Sequence, residues 1–141
     1  MTDWNQRFID LAHHVAGWSK DPSTKVGAVI VNDKKQVISM GYNGFPRGVH
    51  DCKERYNDRA TKRQFVAHAE RNALDNAYVD VDGATLYSTL YPCSECAKGI
   101  IQRGIKRVVT SKQWYEQQAV RFNFNVSETM FKESDVEVLL L

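Results

Sequence analysis

A chain of 141 residues with 43% hydrophobic side chains can bury a sizeable core, yet it is short for two ordinary domains, so one domain over residues 1–141 is expected. With 19 Lys and Arg against 17 Asp and Glu, the net charge of +2 is too balanced for the footprint of a nucleic-acid-binding module. No stretch is apolar and long enough to span a bilayer, and Asp3, Asn5 and Gln6 do not fit a secretory signal; a soluble, cytoplasmic protein is expected. Three cysteines make an odd count that suits metal ligation in a reducing compartment better than a disulfide framework.

Trp4, Phe8, Leu11, Val15 and Trp18 recur at steps of four and three, with Ala12 and Ala16 beside them, which predicts an opening amphipathic helix. Gly17 and Asp21-Pro22 should end it; His13 and His14 read as ordinary helix histidines. Val26 to Val31 and Gln36 to Met40 flank the turn-like Asn32-Asp33-Lys34-Lys35 and predict a β-hairpin. Gly41-Tyr42-Asn43-Gly44-Phe45-Pro46-Arg47-Gly48 then opens a polar loop running to about Arg63, a length that is usually functional or disordered. Arg55, Arg59, Lys62 and Arg63, followed by Arg71, form a basic cluster suited to a small anionic ligand or, equally, to a solvated charged loop.

Helix is predicted from about Ala67 to Val79, strand from Ala84 to Thr89, helix from Ser94 to Arg103 closed by Gly104, and strand from Lys106 to Thr110. A helix over Trp114 to Phe122 and a strand over Val136 to Leu141 complete the series. Strands alternating with helices after an initial hairpin imply a layered α/β fold with a mixed sheet.

Two short runs carry the chemistry: His68-Ala69-Glu70 and Pro92-Cys93-Ser94-Glu95-Cys96. The two-residue gap between Cys93 and Cys96 lets both sulfurs close on one ion at a helix start, where exposed amides favour thiolates. His68 lies one strand earlier, at the start of the other helix, and a strand–helix–strand–helix path can bring both helix starts to one sheet edge. Three ligands leave zinc one position for water, whose pKa the ion lowers to about 7. Glu70, in the same first turn as His68, is placed to take a proton from that water; Glu95, between the cysteines, should face solvent. A structural zinc site completed by Cys52 or His50 is the bland alternative.

The pairing of these runs resembles the signature of the zinc-dependent nucleobase deaminases. Ser19-Lys20-Asp21-Pro22-Ser23-Thr24-Lys25-Val26-Gly27-Ala28, Gly41-Tyr42-Asn43-Gly44, His68-Ala69-Glu70-Arg71-Asn72-Ala73 and Thr89-Leu90-Tyr91-Pro92-Cys93-Ser94-Glu95-Cys96-Ala97 together resemble the deoxycytidylate deaminases, from about Ser19 to Tyr115. The resemblance implies a three-layer α/β/α cytidine-deaminase-like fold with a mixed five-stranded sheet, and hydrolysis of dCMP to dUMP and ammonia, with Glu70 catalytic. It also implies one catalytic Zn2+ per chain on His68, Cys93 and Cys96, with substrate contacts from Ser23, Lys25, Asn43, Ala69 and Tyr115. A homohexamer is implied too, activated by dCTP with Mg2+ and inhibited by dTTP through Tyr42, Asn43, Gly44 and Arg47.

One departure stands out. Some relatives hold a second, structural zinc through a cysteine where this chain has Asp21-Pro22, so one zinc and a free Cys52 are expected. A deaminase acting on dCTP, cytidine or a polynucleotide base remains an alternative, as does a zinc-stabilised binding module without turnover. Glu70→Ala separates the last from an enzyme, since only an enzyme would lose activity while keeping its metal.

Overall fold

The computed structural model describes residues 3–112 and 124–141. Its elements in chain order are α1 (Trp4–Ala16), β1 (Gly27–Val31), β2 (Val37–Tyr42), α2 (Lys53–Asn57), α3 (Arg59–Phe65), α4 (Ala69–Asn76), β3 (Thr85–Ser88), α5 (Ser94–Gln102), β4 (Arg107–Thr110), α6 (Phe124–Glu133) and β5 (Glu137–Leu140). The strands form one five-stranded sheet in the order β2-β1-β3-β4-β5. β1 pairs antiparallel with both β2 and β3, whereas β3, β4 and β5 run parallel, so the sheet is mixed as expected.

Side chains alternate across the pleat and build a core on each face. Ala28, Ile30, Leu86 and Val108 pack with Leu74 and Ala73 of α4, Ile100 of α5 and Phe124 and Phe131 of α6. Val29, Val31, Tyr87 and Val109 point the other way, onto Phe8, Ala12 and Val15 of α1. The result is three layers, with α1 on one face and α4, α5 and α6 on the other. No helix among the described residues is long and apolar enough to cross a membrane.

Several sequence expectations need correction. The buried stripe of α1 is Phe8, Ile9, Ala12, Val15 and Ala16; Trp4 and Trp18 are 40% and 51% exposed, and Trp18 lies beyond the Gly17 C-cap, edge-on to Tyr42. The long segment after β2 is not structureless, because α2 and α3 fold within it. Phe45 stacks on Tyr56 with centroids 4.2 Å apart and leans on Phe65 at 5.6 Å, which gives these short helices a small apolar anchor. The helix expected to reach Val79 stops at Asn76, leaving Tyr78 and Val79 exposed. α6 was missed altogether, although Phe124, Ser127 and Phe131 sit at helical spacing and are buried. The helix expected over Trp114 to Phe122 lies outside the described residues.

Candidate active site

The register of the sheet brings four strand ends together. Gly27 at the start of β1 pairs with Tyr42 at the end of β2, Ala28 pairs with Ser88 at the end of β3, and Ser88 pairs with Thr110 at the end of β4. This is the carboxyl edge of the parallel strands, where α/β sheets bind ligands. The chain leaves β3 through Thr89–Pro92 and enters α5 at Cys93, while the end of β2 meets the approach to α4. There Gly44 and Ala67 exchange backbone hydrogen bonds of 3.1 and 2.8 Å, which fixes the residue before His68.

His68 and Cys93 occupy equivalent places, as the N-cap residues of α4 and α5 with extended backbones. Neither side chain caps its own helix; instead each turns toward the other. His68 Nδ1 lies 3.4 Å from Cys93 Sγ and 3.3 Å from Cys96 Sγ, and the three ligand atoms lie within 4.8 Å of one another. Tetrahedral zinc with ordinary Zn–N and Zn–S bonds separates nitrogen from sulfur by about 3.5 Å, so the set fits that ion. Among the described residues no fourth ligand joins it: Cys52 sits at the N-cap position of α2, outside the cluster, and Glu95 pairs with Lys98 at the surface.

The protons around this centre are unevenly held. Hydrogen bonding to Cys96 brings the Cys93 thiol down to about 4, and the same contact, with burial, pushes the Cys96 thiol up. The hydrogen bond to Cys93 outweighs burial and lifts the His68 imidazolium to about 9. Glu70, in the first turn of α4 and 4% exposed, is pushed up to about 7 by loss of hydration.

His68, Glu70 and Cys93 line one cleft of about 370 Å3, a volume suited to a small molecule. Val26, Leu90 and Tyr91 supply its apolar surface, Asn43 an amide, and Arg59, Lys62 and Arg63 a basic wall. Asn43 is held rigidly: Val26 N donates to its Oδ1 at 2.9 Å, and its Nδ2 donates to Thr24 O at 2.8 Å. Ser23 is tied to this wall, its Oγ 2.8 Å from Lys62 Nζ. Lys25 is exposed and lines a separate pocket of about 30 Å3 with His13, while Ala69 is fully buried where α4 passes Gly41. Tyr42 is 42% exposed, Gly44 is engaged by Ala67, and Arg47 Nη2 donates to Asn76 Oδ1 at 2.8 Å. Tyr115 lies outside the described residues.

Two features escaped the sequence reading. Lys62 Nζ sits 3.1 Å from Asp21 Oδ1, a buried ion pair joining residues 41 apart in sequence, and no local pattern announces such a contact. Ser127 on α6, fully buried, donates 2.8 Å to Pro92 O and so braces the turn that leads into Cys93. The spacing of Phe124, Ser127 and Phe131 could have revealed the helix but not this bond.

An imidazole and two thiols on paired helix starts, beside a buried carboxyl at the edge of an α/β/α sheet, make the architecture of a metal-dependent hydrolase. A family model described as the cytidine and deoxycytidylate deaminase zinc-binding region matches residues 2–112, and the chain belongs to this family. The human deoxycytidylate deaminase is 40% identical over 93% of this chain and 79% of its own length. An Aliivibrio fischeri relative, known only as an uncharacterized deaminase, is 38% identical over 100% of this chain and 95% of its own. Among solved structures, the dCMP deaminase of cyanophage S-TIM5 in complex with dCMP and dUMP superposes with a TM-score of 0.74 at 25% identity, over 96% of this chain and 95% of that one.

Proposed function

We propose that this chain, as one deaminase domain over residues 1–141, hydrolyses dCMP to dUMP: water enters and ammonia leaves at C4 of the cytosine ring. One observation carries the reading: Glu70 is a buried carboxyl in the same cleft as His68 and Cys93, which with Cys96 form a cluster spaced for one zinc ion. The human relative, a deoxycytidylate deaminase, and the cyanophage dCMP deaminase in complex with dCMP and dUMP support the choice of nucleotide.

Each group has a task in this scheme. His68, Cys93 and Cys96 would hold the ion. What zinc supplies when bound there is Lewis acidity, which makes water a competent nucleophile near neutral pH. Glu70 takes a proton from the attacking water, passes it to N3 and returns one to the departing amine, so a single carboxyl serves both halves of the reaction. Its burial in the first turn of α4 shields that carboxyl from competing water. Asn43, fixed through Val26, Thr24 and Asp21, has one Oδ1 lone pair left to accept from the sugar. Ser23, Lys25, Ala69 and Tyr115 complete the substrate contacts on the strength of the resemblance alone.

The same reading carries regulation in a cytoplasmic homohexamer, with dCTP and Mg2+ activating and dTTP inhibiting at Tyr42, Asn43, Gly44 and Arg47. The solvent-facing Tyr42 beside Trp18 on edge strand β2 supports it. The test is an ultraviolet assay of zinc-loaded protein against cytidine, deoxycytidine, dCMP and dCTP, each with and without dTTP. Preference for dCMP is expected; equal turnover of deoxycytidine would undo the substrate assignment, and indifference to dTTP would undo the regulation.

A further inference from the structure

We infer that Arg59 and Arg63 of α3 read the substrate's 5′-phosphate and make the cleft selective for a nucleoside monophosphate over the free nucleoside. The inference rests on the dCMP reading above and assigns its specificity to residues that the resemblance does not supply.

The basic cluster of the sequence is sorted by the fold into two kinds. Arg55 is spent on structure: its guanidinium lies over the Phe65 ring at 4.5 Å and Nη1 donates to His50 O at 2.8 Å. Arg71 is spent along α4, with Nε 3.2 Å from Asp75 Oδ2. Arg59 and Arg63, by contrast, stand one turn apart on α3 and both line the cleft that holds His68, Glu70 and Cys93. Among the described residues neither has an ion-pair or hydrogen-bond partner.

Lys62, between them, is in a different state. Its ammonium is bonded to Asp21 Oδ1 at 3.1 Å and Ser23 Oγ at 2.8 Å, with side-chain exposure of only 14%. That bond cancels the Asp21 charge within the cleft, so the carboxylate does not compete for the two guanidinium groups. It also ties α3 to the segment ahead of β1, which makes Lys62 a positioning residue. The cleft wall is left with two uncommitted cations and no uncommitted surface anion, since Glu70 is buried.

Paired planar forks match the oxygens of a dianionic phosphate, whereas a lysine offers one point charge. Lys25, which the resemblance places near the phosphate, is outside this lining, and Ser23 already accepts from Lys62. The wall of α3 therefore supplies the charge that a monophosphate requires.

The test compares zinc-loaded wild type with Arg59→Ala, Arg63→Ala, the double alanine variant and the double Arg→Lys variant. Steady-state rates on dCMP and deoxycytidine are measured, with inhibition by dUMP and deoxyuridine as a binding readout. Each single change is expected to lower kcat/KM for dCMP about 10-fold through KM, and the double change about 100-fold, while deoxycytidine falls by no more than about twofold. Inhibition by dUMP should weaken in parallel and that by deoxyuridine should not. The lysine pair should restore part of the loss, because charge survives and the fork does not. A double alanine variant that keeps the wild-type ratio of dCMP to deoxycytidine turnover overturns the inference alone. So does an equal loss on both substrates, which would mark a structural role. Wild type with no preference for dCMP overturns the substrate reading itself, and this inference with it.

Discussion

Lys62 of α3 reaches Asp21 ahead of β1 with Nζ 3.1 Å from Oδ1, and the two side chains are only 14% and 4% exposed. Asp21 also accepts from the amides of Ser23 at 2.9 Å and Thr24 at 3.2 Å. The short helix that walls the cleft is thus pinned to the sheet through one carboxylate.

That carboxylate makes stability depend on acid. Burial of Asp21 would raise its pKa, but the Ser23 and Thr24 amides, Lys62 and the Ser23 hydroxyl more than offset this and hold it below the ordinary range. The folded state then binds fewer protons than the unfolded chain, so the contribution is full above the unfolded value of about 4 and is lost as pH falls through the depressed one. Denaturation curves from pH 6 to pH 2 should show wild type weakening below about pH 4, with the Asp21→Asn variant lacking that part of the decline. Lys62→Met should cost about 2 kcal/mol at neutral pH, since Asp21 keeps its amide donors. Superimposable acid limbs for wild type and Asp21→Asn would refute the argument.

Glu70 separates enzyme from binding module. Glu70→Gln preserves shape in a fully buried position but cannot cycle a proton, so turnover should fall by about 10²–10⁴-fold. Metal analysis of the same sample should still return one zinc per chain, because the carboxyl is not among the three clustered ligands. Undiminished turnover of the variant would remove Glu70 from the mechanism.

Gly41 in β2 lies directly under α4, the helix that carries Glu70. A methyl group there would run into the backbone nitrogen of Ala73 and lie 2.6 Å from Ala69 O, with backbone rather than flexible side chain in the way. Gly41→Ala should destabilise by about 1–3 kcal/mol and lower kcat as α4 is pushed off the sheet. Thermal melts and rates measured together check this; an unchanged melt with unchanged rate would show that α4 can yield.

Removing the metal should loosen the same end of the molecule. Chelation is expected to abolish activity and lower the unfolding temperature, since an ion that binds only the folded chain adds its binding free energy to stability. Cys96→Ser should lose zinc on dialysis and melt like the chelated wild type. Full activity after exhaustive chelation, with metal shown absent, would end the zinc reading.

Much of this was written in the chain itself. Helical spacing placed α1, helix-favouring residues placed α4, and Pro92 and Gly104 marked the ends of α5. Short apolar runs between turn residues placed the five strands, since central strands such as β1 and β3 are buried on both faces and so lack an apolar–polar alternation. The grouping of His68, Cys93 and Cys96, with Glu70 beside them, was legible because residues gathered at two helix starts leave a local trace. Only the tertiary structure could decide the rest. That α2 and α3 form at all depends on Phe45 finding Tyr56 and Phe65, and α3 is held to the cleft by Lys62 meeting Asp21, a contact between distant parts of the chain. Which arginines of one basic cluster face the cleft, and which are consumed by Phe65 and Asp75, is settled by packing. Spacing along a chain encodes what an element buries, whereas partners far apart in sequence are chosen only when the sheet closes and its strand ends come together.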